Sequence, residues 1–147
     1  MATELRGFTI SAIADVDLSD KQFHVVKLLE NGNIDICDEG DVPVGILQNQ
    51  PYKGQAAAVM VTGQSKVVVG DTAIVAGERV ASVGGVVFTE KEGNHTIGQC
   101  REGAGPGQIA SVLINCFNTT EKPAEITEGN PDDEDNPEDP DNPEDLE

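Results

Sequence analysis

VGILQNQPYKGQAAAVMV, residues 44–61, has the pattern of a strand, a turn and a second strand. The pattern returns 53 residues later as IGQCREGAGPGQIASVLI, residues 97–114. Small or branched residues occupy every second position of the return strand in both copies, which is the period of a β-strand. We therefore predict that one β-unit is used twice in one sheet system. The five identities are Gly45 with Gly98, Gly54 with Gly107, Gln55 with Gln108, Ala57 with Ala110, and Val59 with Val112.

The competing interpretation is that any all-β chain looks self-similar, because Gly and Val are common in such chains. The placement of the glycines favours a true repeat, since Gly is needed where a strand bends or a turn takes positive φ. Gly103–Gly107 is Gly-rich, but no Lys-Ser/Thr and no helix pattern follows it. We interpret it as the hairpin turn of the second copy, not as a phosphate-binding loop.

The whole chain has the composition of an all-β protein. It has 147 residues, enough for one domain, with 16 Gly, four Phe, one Tyr and no Trp, so Val, Ile, Leu and Ala must supply the core. Nine or ten short strands are separated by turn signals every 8 to 12 residues, which is typical of a small barrel or sandwich. Strands are expected at 64–69, after a break at Thr62–Gly63, and at 73–76, and Asn31-Gly32 predicts a hairpin turn.

Three regions follow from this pattern. Residues 1–14 are an N-terminal arm packed on another subunit or an edge strand of the same domain, and residues 15–118 are the β-domain. If the first segment is an arm, its contacts with a neighbouring molecule would come from Leu5, Arg6, Phe8 and Ile10. Residues 119–147 are an acidic tail built on three six-residue repeats that each open with Asn-Pro, at residues 130, 136 and 142.

The tail is expected to be disordered. It has almost no apolar side chains to bury, recurrent Pro blocks helix and sheet, and its like charges repel. It could act as a solubilising brush, as a mask against cationic partners, as a docking segment for a basic surface, or as a solvated tail with no specific partner.

The net charge of −18 is concentrated in that tail. Residues 121–147 carry 13 acidic residues and one Lys, whereas residues 1–120 carry 14 acidic residues and eight Lys or Arg. This excess argues against nucleic-acid and membrane partners, which both require cationic surface. The first residues lack the basic and long apolar segments of a signal peptide, so we expect a protein that is made and used inside a cell, or assembled there.

No group of residues indicates catalysis, a cofactor or a metal site. Cys37, Cys100 and Cys116 lack C-x-x-C spacing, and neither His24 nor His95 lies near them at zinc-finger spacing. We expect three reduced thiols that serve as small apolar residues. The protein is therefore expected not to be an enzyme, and to bind, coat or assemble.

An ordered set of segments resembles the small tailed-phage proteins grouped as capsid cement or head decoration proteins. The set spans about residues 14 to 116, and its members keep similar order and spacing. The segments are DLSDKQFHVVK (17–27), VPVGILQNQP (42–51), GQAA (54–57), GQSKVVVG (63–70) and IG (97–98).

The resemblance implies a β-rich virion protein, often trimeric, that binds the outer surface of an icosahedral head after the shell expands. Its partners would be the major capsid protein and further copies of itself, with no catalytic residue and no cofactor. The alternative is a non-catalytic β-module for a host-surface or carbohydrate ligand. The shortage of aromatic residues for sugar stacking weighs against that alternative.

Overall fold

A computed structural model describes residues 5–91 and 94–116, and this part of the chain is all-β. The expected fold class is confirmed: nine strands form a single sheet whose strand pairings are antiparallel. The acidic tail lies outside the described residues. The strands are β1 (Leu5–Ile13), β2 (Val25–Leu28), β3 (Ile34–Ile36), β4 (Pro43–Leu47), β5 (Ala56–Val68), β6 (Arg79–Val83), β7 (Val86–Thr89), β8 (Thr96–Glu102) and β9 (Ile109–Asn115).

The predicted repeat is present, with the same strand register in both copies. β4 and β5 form the first hairpin, and β8 and β9 form the second. Paired residues of the first hairpin correspond to paired residues 53 positions later: Ile46 with Met60 and Leu47 with Val59, then Gln99 with Leu113 and Cys100 with Val112. The repeat is therefore a repeat of pairing geometry as well as of composition.

The two hairpin turns are also built alike. Gly54 and Gly107 have φ of 86° and 73°, in the region that favours glycine. The side-chain oxygen of Gln55 accepts a hydrogen bond from the Tyr52 N–H at 2.8 Å, and that of Gln108 accepts one from the Gly105 N–H at 3.1 Å. The shared Gly-Gln pair thus has a physical role, since Gly permits the turn and Gln ties its first residue.

The duplication extends well beyond the hairpin. β2 pairs with β3 and β4 in the first half of the chain, and β6 pairs with β7 and β8 in the second half. β1 pairs with the beginning of β5. In the same way, the end of β5 pairs with β9. Each half is thus a five-stranded unit, here called the first unit (residues 8–61) and the second unit (residues 63–116). β5 closes the first unit and opens the second.

Each unit curls until its first and third strands meet. A parallel bridge joins Ala14 to Ile34 in the first unit, and another joins Val69 to Val87 in the second. The eight buried residues of the first unit's core have equivalents in the core of the second unit. These pairs are Ala14/Val69, Leu18/Ile74, Val26/Val80, Ile34/Val87, Leu47/Cys100, Ala57/Ala110, Val59/Val112 and Val61/Ile114.

Two local predictions are wrong. The chain does not leave the sheet at Thr62–Gly63, because β5 runs for 13 residues through a Gly63 with φ of 113°. Residues 73–76 are not a strand, and only Ile74 forms an isolated bridge there, to Ala104. At Thr62–Gly63 tertiary pairing overrides the local pattern, since Thr62 and Gly63 pair with Asn115 and Ile114 of β9.

Candidate interaction surfaces

The two units meet in an intramolecular joint, where the β6–β7 turn inserts beside the first unit. The Val25 N–H donates to the Gly85 carbonyl at 2.8 Å, and the Gly85 N–H donates to the Cys37 carbonyl at 3.0 Å. The Ser82 hydroxyl, which is buried, also donates to the Cys37 carbonyl, at 2.8 Å. These bonds join the turn to both β2 and the end of β3.

Gly85 is required by this insertion for two reasons. Its φ is 86°, and a Cβ there would lie 3.1 Å from side-chain atoms of both His24 and Ile36. A side chain would therefore be strained and would also press on the first unit. Gly84-Gly85 is a turn signal in the sequence, but nothing local shows what the turn contacts.

Apolar side chains fill the joint beneath this turn. Val25, Ile46 and Met60 lie on the outer face of the first unit, yet they are 0%, 0% and 6% exposed. They belong to the same hydrophobic cluster as the core of the second unit. The outer face of β2, β4 and β5 in the first unit is thus covered by the second unit.

No other part of residues 5–91 and 94–116 covers the equivalent outer face of the second unit, which we call the open face. There Arg79 takes the place of Val25, Gln99 of Ile46, and Leu113 of Met60, and Leu113 is 44% exposed. A depression of about 370 Å³ lies on this face. It is lined by Arg79, Thr96, Gly98, Gln99, Leu113 and Asn115.

Another exposed surface, made of apolar side chains, lies near the β4–β5 turn. Val16 and Tyr52 are 37% and 60% exposed. Their chain segments are joined by a hydrogen bond from the Leu18 N–H to the Pro51 carbonyl at 3.0 Å. We call Val16 and Tyr52 the apolar tip. The second unit has Gly105 where the first has Tyr52, so the duplication alone does not produce this surface.

The residues predicted to contact a neighbour lie on β1, which pairs with β5 in the same sheet. Leu5 and Arg6 begin this strand, and Leu5 pairs with Gln64. Phe8 is 62% exposed, whereas Ile10 is half-buried against the core of the first unit. The segment is an edge strand of its own sheet, and a contact between Phe8 and a neighbour remains a prediction.

Both ends of the described chain emerge close together, near the middle of β5. Thr62 pairs with Phe8 of β1 and with Asn115 of β9. β1 and β9 therefore flank β5 at this point, on opposite sides. Asn115, next to the last described residue, lines the depression on the outer face of the second unit.

The titratable groups singled out by the sequence are dispersed. Cys37, Cys100 and Cys116 are buried, and burial raises the pKa of Cys37 and of Cys116 to about 12. Burial lowers the pKa of His24, which lies beside the joint. Within residues 5–91 and 94–116 no three His, Cys, Asp or Glu side chains are grouped to hold a metal ion. The same residues include no helix that could cross a membrane.

The comparisons with known proteins identify a shared fold. No family model and no curated protein matches this chain. Among solved structures, it is similar to the head fiber gp8.5 N base of bacteriophage phi29, with a TM-score of 0.57 and 16% sequence identity. The alignment covers 80% of this chain and 98% of that chain. Nearly the whole phi29 domain thus has a counterpart in this chain. At 16% sequence identity, the similarity shows a shared fold and nothing more.

Proposed function

We propose that this protein is a structural component of a phage head. It binds the outer surface of the expanded icosahedral shell and stabilises the shell as a decoration or cement protein. It acts as a homotrimer on the major capsid protein, is assembled in the host cytoplasm, and catalyses no reaction. The observation that supports this proposal is the fold similarity to the head fiber N base of bacteriophage phi29, which covers 98% of that chain.

The physical basis of such a role is state-selective binding. A ligand that binds the expanded shell and not the unexpanded one stabilises the expanded state by its binding free energy. A Kd of ~1 μM for each copy corresponds to about 8 kcal/mol. A trimer that contacts several capsid subunits gains further affinity, because its contacts are linked.

The apolar tip is the surface that we assign to the capsid. Tyr52 combines a large apolar ring with a hydroxyl, a combination that is enriched in protein interfaces. It projects from the β4–β5 turn at one extreme of the long strand β5, so it can reach a shell without displacing the joint. Val16 adds exposed apolar area on a segment bonded to the same turn.

Co-sedimentation with heads tests the proposal. The full chain is mixed with undecorated expanded heads, and separately with unexpanded heads, of the phage that encodes it. Binding to expanded heads alone is expected, with a loss of at least ~10-fold in affinity for Tyr52→Ser or Val16→Asp, since each removes an anchor at the contact. Val75→Asp is the matched control, because Val75 is 59% exposed but lies in the second unit.

Other outcomes identify other functions. Failure of the wild-type chain to sediment with expanded heads rejects the decoration role. Binding to a glycan in place of heads, lost in Tyr52→Ala and kept in Tyr52→Phe, would instead support the host-surface or carbohydrate module. Deleting residues 121–147 tests the tail: unchanged head binding supports a solubilising brush, and lost binding makes the tail a docking element.

A further inference from the structure

We infer that the intramolecular joint is repeated between copies of this chain, head to tail. The open outer face of the second unit, at Arg79, Gln99 and Leu113, binds the first unit of a second copy. This contact does not require the capsid role, and it assigns surfaces to the self-association that the proposed function includes.

The first argument is that the open face is equivalent to a face of the first unit, and that the structure shows what covers the latter. In the first unit this face is Val25, Ile46 and Met60, and the second unit of the same chain covers it. The backbone beneath it is the same in both units. The Cys37 N–H donates to the Val25 carbonyl at 3.0 Å, and the Glu90 N–H donates to the Arg79 carbonyl at 2.8 Å.

The second argument comes from the opposite side of the joint. In the second unit, Val68 and Ser82 hold the first unit: the Val68 N–H donates to the Phe23 carbonyl at 3.1 Å, and the Ser82 hydroxyl donates to the Cys37 carbonyl. The equivalent positions in the first unit are Ile13 and Leu28. Both are exposed apolar residues, at 42% and 53%.

One arrangement accounts for three exposed apolar side chains. Leu113 lies on the open face of the second unit, and Ile13 and Leu28 lie on the side of the first unit that a preceding second unit would cover. Burying them between copies removes apolar area from water, as the joint does within the chain. Arg79 and Gln99 make the intermolecular face more polar than the joint, which suits a chain that must remain soluble before it assembles.

A heterologous contact of this kind must close into a ring to give a discrete assembly. Three chains would place six equivalent units around one axis, which matches the proposed homotrimer. Symmetric pairing of one patch with itself would not use two different faces. The distinction is testable, because a head-to-tail contact needs one intact face from each partner.

The experiment measures mass in solution without heads, by light scattering on the full chain. Wild type is expected at three times 15.5 kDa, and Leu28→Arg and Leu113→Arg each at 15.5 kDa with unchanged circular dichroism. Val75→Arg, which changes an exposed side chain that is assigned to neither face, is expected to keep the wild-type mass.

Mixing the two variants is the decisive step. Leu28→Arg retains an intact second-unit face and Leu113→Arg retains an intact first-unit face, so an equimolar mixture is expected to form a dimer of twice 15.5 kDa. A monomeric wild type, variants that keep the wild-type mass, or a mixture that stays monomeric would each overturn the inference. Loss of head binding without a change in mass would reject the capsid role and leave this contact standing.

Discussion

Phe23 and Gly77 occupy the same position in the two units, and both have positive φ, 67° and 96°. The Phe23 N–H donates to the Leu47 carbonyl at 2.8 Å, and the Gly77 N–H donates to the Cys100 carbonyl at 2.8 Å. The bend before the second strand of each unit therefore needs a left-handed residue. Gly meets this need without strain, whereas Phe does not.

Contacts in the joint hold Phe23 in this strained conformation. Its carbonyl accepts the Val68 N–H at 3.1 Å, and the Lys66 ammonium lies 5.7 Å from the centre of its ring. The Gly77 carbonyl instead accepts a hydrogen bond from the Gln99 side chain of its own unit, at 2.9 Å. The strain at Phe23 is of the kind that persists only where surrounding contacts enforce it.

We expect Phe23→Gly to destabilise the fold less than Phe23→Ala, by about 1 kcal/mol. Both variants lose the ring, but Ala also keeps the left-handed strain. Urea unfolding of the two variants measures the difference. If Phe23→Ala were instead more stable than Phe23→Gly, the bend would not impose positive φ at residue 23.

Gly45 and Gly98 make possible a close approach between strands. A Cβ on Gly45 would lie 2.3 Å from the Met60 carbonyl oxygen, and one on Gly98 would lie 1.9 Å from the Leu113 carbonyl oxygen. Gly45→Ala and Gly98→Ala should each cost about 2 kcal/mol or more, because backbone must move. Gly54→Ala is the control, since it meets only open space and should cost about 1 kcal/mol for its φ of 86°.

These three variants are compared by chemical denaturation under one set of conditions. Equal losses in all three would mean that the strands separate easily at Gly45 and Gly98. In that case the identity of Gly45 with Gly98 in the repeat would reflect strand composition alone.

The three thiols should be unreactive in the folded protein. Burial raises the pKa of Cys37 and Cys116 to about 12 and also raises that of Cys100, so at pH 8 very little reactive thiolate is present. A thiol reagent should label the native chain slowly and label three Cys per chain in denaturant. Rapid labelling of Cys37 in the native state would mean that the joint opens frequently.

His24 should make the stability of the joint sensitive to acid. Burial lowers its pKa below 6.5, the nearby charge of Lys21 lowers it further, and Asp20 opposes the shift. Between the folded pKa and 6.5 the unfolded chain therefore binds more protons than the folded chain. Stability is retained above pH 6.5 and falls as the pH drops below it.

A His24→Gln variant isolates this contribution. Its unfolding free energy should depend less on pH than that of wild type between pH 7.5 and 5.5. Urea titrations at several pH values in this range provide the comparison. Identical slopes for the two proteins would assign the acid sensitivity to other groups.

Local sequence was sufficient for the elements that short-range chemistry controls. The glycines at residues 54 and 107 predict two turns, and alternation in β5 and β9 predicts the buried face of each strand. All-β architecture and the repeat followed from these features. Each depends on interactions between residues a few positions apart, whose geometry the backbone period fixes.

Tertiary structure alone decided how the two units are related. Met60 and Leu113 are equivalent apolar residues in equivalent strands, yet one is buried and the other is 44% exposed. Likewise Gly63 lies inside a strand and Phe23 adopts a glycine conformation because distant strands bind them there. Burial depends on which surface packs against which, and that packing joins residues far apart in the chain, so no local pattern encodes it.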